Sequence, residues 1–175
     1  RGRHTGDGRR RRLDRPRRVT ATYYVEWVLG ASRDVAQLFV IPEFDVESET
    51  CLARNPWNEQ FRERVAFVAT SEKLHGLTGS RSEFLGRRGH YASPAGLTRV
   101  GLASAVCAGL DSCAALQVHV DLAPGATAEL HFVVGQGGSR EEAIALARKY
   151  RDPAHVETAW TALARHWDDM LGAVT

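Results

Sequence analysis

Between residues 19 and 134 the hydrophobic positions fall in short runs separated by turn residues. Residues 19–29 are rich in β-branched and aromatic side chains and predict a long strand. Alternation sets Thr20, Thr22, Tyr24 and Glu26 on one face of it, and Ala21, Tyr23, Val25 and Trp27 on the other. A turn over 30–33 leads to a second predicted strand, 35–41, which Pro42 should stop. Residues 50–54 and 64–70 predict two more strands, joined by the turn Asn55-Pro56-Trp57-Asn58. Residues 71–99 carry Gly76, Gly79, Gly86, Gly89, Pro94 and Gly96 and read as loop, with one short helix over 82–85. Residues 114–122 and 128–134 flank Ala-Pro-Gly-Ala and read as a hairpin. Short strands at regular spacing, with no helices between them, predict a mainly β domain: antiparallel sheets packed as a sandwich.

The period changes after Gly138. Ser139 and Glu142 form an S-x-x-E capping box, and Ala143, Leu146, Ala147 and Tyr150 then share one helical face. Asp152-Pro153 starts a second helix, Asp as N-cap and Pro at the first helical position, with Gly172 as its C-cap. Val156, Trp160, Leu163 and Trp167 line one face of that helix. Either this face packs back on the sheets or it awaits a partner. The expected organisation is a leader over 1–18, a β-sandwich over 19–138, and a C-terminal αα-hairpin linker over 139–175.

Charge separates the leader from the body. Residues 1–18 hold nine Arg against Asp7 and Asp14, and the remaining residues are net acidic. With Leu13 as its one aliphatic side chain, the leader cannot bury enough apolar surface to order itself. A basic arm of this kind can bind nucleic acid, but no aromatic residues interleave its arginines, and the acidic body argues against specific nucleic-acid binding. Leu, Ile, Val and Phe supply 40 of the 175 residues, which excludes wholesale disorder. No apolar run reaches the length of a membrane span, and no apolar stretch follows the basic N-terminus as a signal peptide would require. Three cysteines, Cys51, Cys107 and Cys113, with no CxxC point to a reducing compartment, the cytoplasm, rather than to a disulfide framework or a zinc knuckle.

The residues spell out no catalytic constellation. The histidines of the body, among them His119 and His131, form no HExxH or HxH spacing, and no GxSxG is present. His119 and His131 are expected in strands, facing outward. Gly135-Gln136-Gly137-Gly138 leads into a helix N-terminus that would suit a phosphate, but it lacks the Lys-Ser/Thr of a P-loop and reads as a strand-to-helix turn. Glu26, Glu83 and Asp111 are the carboxylates that glycoside chemistry would draw on. The segment 77–87 combines glycines, alternating charge and an aromatic residue. Long loops in compact domains often carry function, so Arg81, Glu83 and Arg87 are the candidate substrate-binding residues. The competing reading has Arg81 and Glu83 satisfying loop backbone while Phe84 and Leu85 fill the core.

Seven segments, in order, carry a family resemblance. They are Tyr24-Val25-Glu26-Trp27-Val28-Leu29-Gly30, Ala53-Arg54-Asn55-Pro56-Trp57-Asn58, Arg64-Val65-Ala66-Phe67, Thr78-Gly79-Ser80-Arg81-Ser82-Glu83-Phe84-Leu85-Gly86-Arg87, Gly109-Leu110-Asp111-Ser112-Cys113-Ala114-Ala115-Leu116-Gln117, Val134-Gly135-Gln136-Gly137 and His166-Trp167-Asp168. Over residues 18–174 the chain resembles the N-terminal sandwich and helical linker of glycoside hydrolase family 94, formerly glycosyltransferase family 36. Within it the likeness is strongest to the phosphorylase-like region of the cyclic β-1,2-glucan synthases, and more distant to cellobiose, cellodextrin and chitobiose phosphorylases.

The resemblance implies a partial supersandwich, truncated at both ends, of an enzyme whose catalytic residues lie in a separate (α/α)6 barrel. It implies no catalytic residue and no metal or organic cofactor in this chain, with inorganic phosphate as co-substrate of the intact enzyme. The implied partners are a β-glucan or β-linked disaccharide, the missing barrel, and a second copy in a homodimer. The implied location extends to the cytoplasmic side of an inner-membrane synthase. The loop with Arg81, Glu83 and Arg87 would reach the active-site mouth. The alternative functions are a stand-alone carbohydrate-binding module, with Trp27 or Trp57 as a sugar platform, or a fragment of a cellobiose or chitobiose phosphorylase.

Overall fold

The computed structural model describes residues 15–172 apart from Cys107 and Leu110. Most of the leader therefore lies outside the described residues, but Arg17 and Arg18 already belong to the first strand. In chain order come β1 (Arg17–Glu26), α1 (Arg33–Ala36), β2 (Ile41–Asp45), β3 (Thr50–Arg54), β4 (Val65–Thr70), β5 (Gly76–Ser80), α2 (Arg81–Leu85), a 3-10 turn (Ala95–Thr98), β6 (Ser112–Leu122), β7 (Phe132–Gly137), α3 (Arg140–Arg151) and α4 (Pro153–Gly172). The strands make two antiparallel sheets, one ordered β1-β6-β5 and the other β2-β3-β4-β7.

The sheets pack face to face. Tyr23, Val25 and Trp27, with Ala114 and Leu116 of β6, meet Cys51, Ala53 and Val68 of β3 and β4. The face of β1 predicted to hold Tyr23, Val25 and Trp27 is thus the inner face. Each outer face is covered as well. Leu52, Val65, Phe67 and Ala69 pack beneath Ala143, Ile144 and Ala147 of α3. On the opposite side Phe84 and Leu85 of α2 cover Ala115, and Tyr24 stacks on Phe84 with ring centroids 4.8 Å apart. Burial on both faces explains why β3, β4 and β6 read as continuous apolar runs rather than alternating ones.

Several expectations need correction. Residues 35–40 are not a strand. Ser32 opens the single helical turn α1, and the strand starts only at Ile41. Pro42 does not stop it, because β2 is an edge strand, where a missing N–H costs no ladder bond. Residues 114–122 and 128–134 are no hairpin: β6 and β7 lie in different sheets, and the chain crosses between them after a turn closed by the Ala126 N–H on the Ala123 carbonyl. β5 lies within the 71–99 segment expected as loop, for a reason its glycines explain. A segment over 101–106 straps across β5, with the Ser104 N–H on the Leu77 carbonyl and the Gly79 N–H on Ala105. A side chain on Gly79 would meet Val106 Cα at 2.9 Å, so the strand needs glycine where the strap passes.

The C-terminal helices start as their caps predict. Ser139 Oγ accepts from the Glu142 N–H at 3.2 Å, and Asp152 Oδ1 accepts from the Ala154 N–H at 2.9 Å. They do not close into the expected packed hairpin. Asp152 alone separates them, whereas a reversal needs a loop of about 2–5 residues. No residue of α4 is buried, and Trp160 and Trp167 stand in solvent. Among the described residues no helix is long and apolar enough to cross a membrane.

Candidate functional site

The charged residues singled out by sequence converge beside the end of β1. Alternation along β1 puts Tyr24 and Glu26 on its outer face, and the Tyr24 hydroxyl donates to Glu26 Oε1 at 2.7 Å. The same oxygen accepts from the Tyr91 hydroxyl at 2.7 Å and from Arg81 Nε at 2.8 Å. Glu26 Oε2 lies 3.4 Å from Arg33 Nε. Arg33 in turn forms an ion pair with Asp111, whose second oxygen is 3.6 Å from Arg81 Nη1. Two carboxylates and two guanidiniums therefore alternate in a closed ring, and the charges cancel. The Arg81 guanidinium also lies over the Tyr91 ring.

This geometry fixes the protonation states. Burial pushes the Glu26 carboxyl up, but hydrogen bonds from Tyr24, Arg81 and Tyr91 outweigh it and hold the group near about 2. The Tyr24 hydroxyl is driven above its ordinary range, first by burial and then by its bond to Glu26. Arg81 is raised by its bonds to Tyr91 and Glu26, and Arg33 by its bond to Asp111. A general acid or base needs a pKa near the working pH, and Glu26 is far from it. What the ring does is tie five segments together: β1, α1, the start of α2, the loop at Tyr91 and the approach to β6.

Glu26 should accordingly stabilise the fold. Its pKa is lower folded than unfolded, so its contribution is complete above the usual carboxylate range and is lost as pH falls from about 5 toward 2. The variant Glu26→Gln should cost about 2 kcal/mol at neutral pH, in the range of charged hydrogen bonds, and should flatten the acid limb of stability. Urea unfolding at pH 7 and pH 3 checks both; equal losses at the two pH values would contradict the assignment.

The three predicted substrate-binding residues part company. Arg81 is engaged in the ring. Glu83 is engaged separately: Oε2 accepts from Thr78 Oγ1 at 2.5 Å, and Oε1 accepts from the Ala103 N–H at 2.9 Å and faces Arg99 at 3.4 Å. It thus pins the strap over β5, while Phe84 and Leu85 sit in the core. Arg87 is exposed just beyond α2, with no hydrogen bond or ion pair among the described residues. Of the carboxylates, Glu26 and Asp111 come together and Glu83 does not. Arg33 and Tyr91 escaped the sequence reading, since nothing in the spacing of 26, 33, 81, 91 and 111 announces one cluster.

Other candidates also find structural partners. The N-terminus of α3 is filled from within, because the Gly138 N–H donates to Glu142 Oε2 at 2.5 Å, where a phosphate would have had to bind. His119 lies in β6, its ring tilted 33° to that of His75 with centroids 3.5 Å apart, and bonded to Thr20. His131 precedes β7 rather than lying in it, and its Nε2 meets the Tyr150 carbonyl at 2.8 Å. Among the described residues no group of three metal-ligating side chains forms. Trp27 is 5% exposed and cannot serve as a sugar platform, while Trp57 is 73% exposed.

Two sheets covered on both outer faces, joined to a helical tail, agree with what comparison of the sequence returns. The family model for the glycosyl hydrolase 94 supersandwich domain matches residues 10–153. The chain belongs to this family. The supersandwich match begins within the Arg-rich leader and ends at the first residue of α4. The chain is also 31% identical, over 166 residues, to the cyclic beta-(1,2)-glucan synthase NdvB of Rhizobium meliloti (strain 1021). That similarity covers 94% of this supersandwich chain and 6% of the synthase.

Proposed function

We propose that the chain is the non-catalytic, carbohydrate-associated supersandwich module of an enzyme that builds or phosphorolyses β-glucans, of the cyclic β-1,2-glucan synthase type. The observation that carries this reading is the closed charge ring. The carboxylates best placed for glycoside chemistry, Glu26 and Asp111, are each matched to two arginines, and Glu26 is ionised throughout the physiological range. A segment similar to 6% of a named glucan synthase fits the same role. Catalysis then belongs to a barrel elsewhere in the natural protein, with inorganic phosphate as co-substrate and no metal or organic cofactor. The whole enzyme works as a homodimer at the cytoplasmic side of the inner membrane. The exposed apolar stripe of α4 is the surface on which the barrel rests.

The test is the mass of the native polypeptide in its source cells, by blot with an antibody against residues 100–135. A band far above 19.3 kDa supports a module of a larger enzyme; a band at 19.3 kDa overturns it. In that larger enzyme Arg87, exposed and without a hydrogen bond or ion pair among the described residues, reaches toward the sugar or phosphate. Arg87→Ala should raise KM about threefold, a loss of under 1 kcal/mol, and leave kcat unchanged. Steady-state phosphorolysis kinetics measure this, and an unaltered KM removes Arg87 from the site.

A further inference from the structure

The turn after β3 and the segment following α1 bring two aromatic rings together on the surface. Trp57 stacks on Phe39 with centroids 5.1 Å apart and planes 9° from parallel. Phe39 covers one face of the indole, yet Trp57 remains 73% exposed, so its other face is open to solvent. The backbone beneath it is anchored. The Trp57 N–H donates to Asn55 Oδ1 at 3.0 Å, and Asn55 Nδ2 donates to the Leu29 carbonyl at 2.7 Å. Asn55 itself is buried. The indole is thus a flat ring held in place rather than a side chain free to fold down.

The neighbouring sequence supplies polar groups of both kinds. Arg54, Glu59, Gln60 and Arg62 flank Trp57 along the chain, and among the described residues no hydrogen bond or ion pair engages their side chains. Donors and acceptors left unspent within five residues of an open aromatic face match one ligand chemistry well. A β-linked glucose residue presents a face of axial C–H groups and a rim of equatorial hydroxyls. The face packs on the indole, and the rim meets guanidinium, amide and carboxylate groups.

We infer that the Trp57–Phe39 stack is a platform for a glucose residue of a β-glucan chain, separate from any catalytic centre. The choice of sugar rests on the glucan-enzyme reading above. A protein partner fits less well. A stable interface needs about 800 Å² from each side, and the stack, even extended by the exposed Leu38 and Phe61, falls short of that. The effect of the platform is to hold a growing or waiting chain near the enzyme without acting on its bonds.

The experiment is calorimetric titration of the 175-residue chain with linear β-1,2-linked glucohexaose, with cellohexaose and maltohexaose as linkage comparators. Wild-type chain should bind a β-linked hexaose saturably. Trp57→Ala should weaken that binding about tenfold. Trp57→Phe keeps an aromatic face and should stay within about threefold. Trp160→Ala, on α4, should match wild type. Since Trp57 is exposed, its variants should keep the wild-type melting temperature. Absence of saturable binding by every sugar overturns the inference, as does binding that a folded Trp57→Ala leaves unchanged. Loss of assembly of the natural enzyme in Trp57→Ala, without any glucan binding, assigns the patch to a protein contact and overturns it too. A large native mass with no sugar binding sinks this inference alone; binding through Trp57 in a 19.3 kDa product sinks the module reading and leaves the platform standing.

Discussion

Phe67→Ala should cost about 3–5 kcal/mol and leave the chain largely unfolded at 37 °C. Phe67 is 2% exposed in the central strand β4, beneath α3. Its neighbours Leu52, Val65 and Ala69 point to the same face, and Ala143, Ile144 and Ala147 close over them. Removing the ring costs its transfer free energy and leaves a cavity that small alanines cannot refill. A domain of this size has about 5–15 kcal/mol in total, so the loss is a large share of it. Phe67→Leu keeps most of the volume and should cost only about 1.5 kcal/mol. Urea denaturation followed by circular dichroism ranks the two. Equal midpoints for Phe67→Ala and wild type would mean that α3 does not seal this layer.

Gly137→Ala should be nearly as damaging, at about 3 kcal/mol, for the opposite reason. A methyl group there would lie 2.6 Å from the Ala143 nitrogen and 3.0 Å from its Cα. Both obstacles are helix backbone, so no side chain can swing aside. Either β7 shifts against β4 or α3 lifts off the sheet. The second outcome exposes Ile144 and Ala147 and opens 138–140 to proteolysis. Limited trypsin digestion, read by mass at Arg140, separates lifting from shifting. Wild-type stability together with wild-type digestion would rule out the close contact.

The architecture was legible where local signals agreed. The strands expected over 50–54 and 64–70, the inner face of β1 and both helix caps follow from pattern and capping chemistry alone. The pairing of strands did not. The hairpin read across 114–134 had a sound turn signal, but a turn specifies only a change of direction, and the choice of sheet is made by partners far away in sequence. β5 was hidden because its glycines serve a strap that a linear pattern cannot reveal. At the site, the contact of Tyr24 with Glu26 follows from alternation. The ring that claims Arg81 depends on residues from 26 to 111, which only the fold brings together. Arg81, a candidate substrate-binding residue with a structural role as the competing reading, is engaged in the fold by Glu26, Asp111 and Tyr91, partners that its sequence neighbourhood does not name.

The pairing of β1 with β6 also sets an order of events. Arg17 faces Leu122 and Glu26 faces Cys113, so β1 must wait for a partner strand made about a hundred residues later. At a synthesis rate of about 5–20 residues per second, that wait lasts on the order of 5–20 seconds. Throughout it Val19, Tyr23, Val25 and Trp27 lack their β6 partner, and closing so long a loop adds its own entropic delay. Meanwhile β2, β3 and β4 can meet as neighbours soon after they emerge. The arginines at the start of β1 stand where they discourage two such waiting strands, on adjacent nascent chains, from pairing with each other.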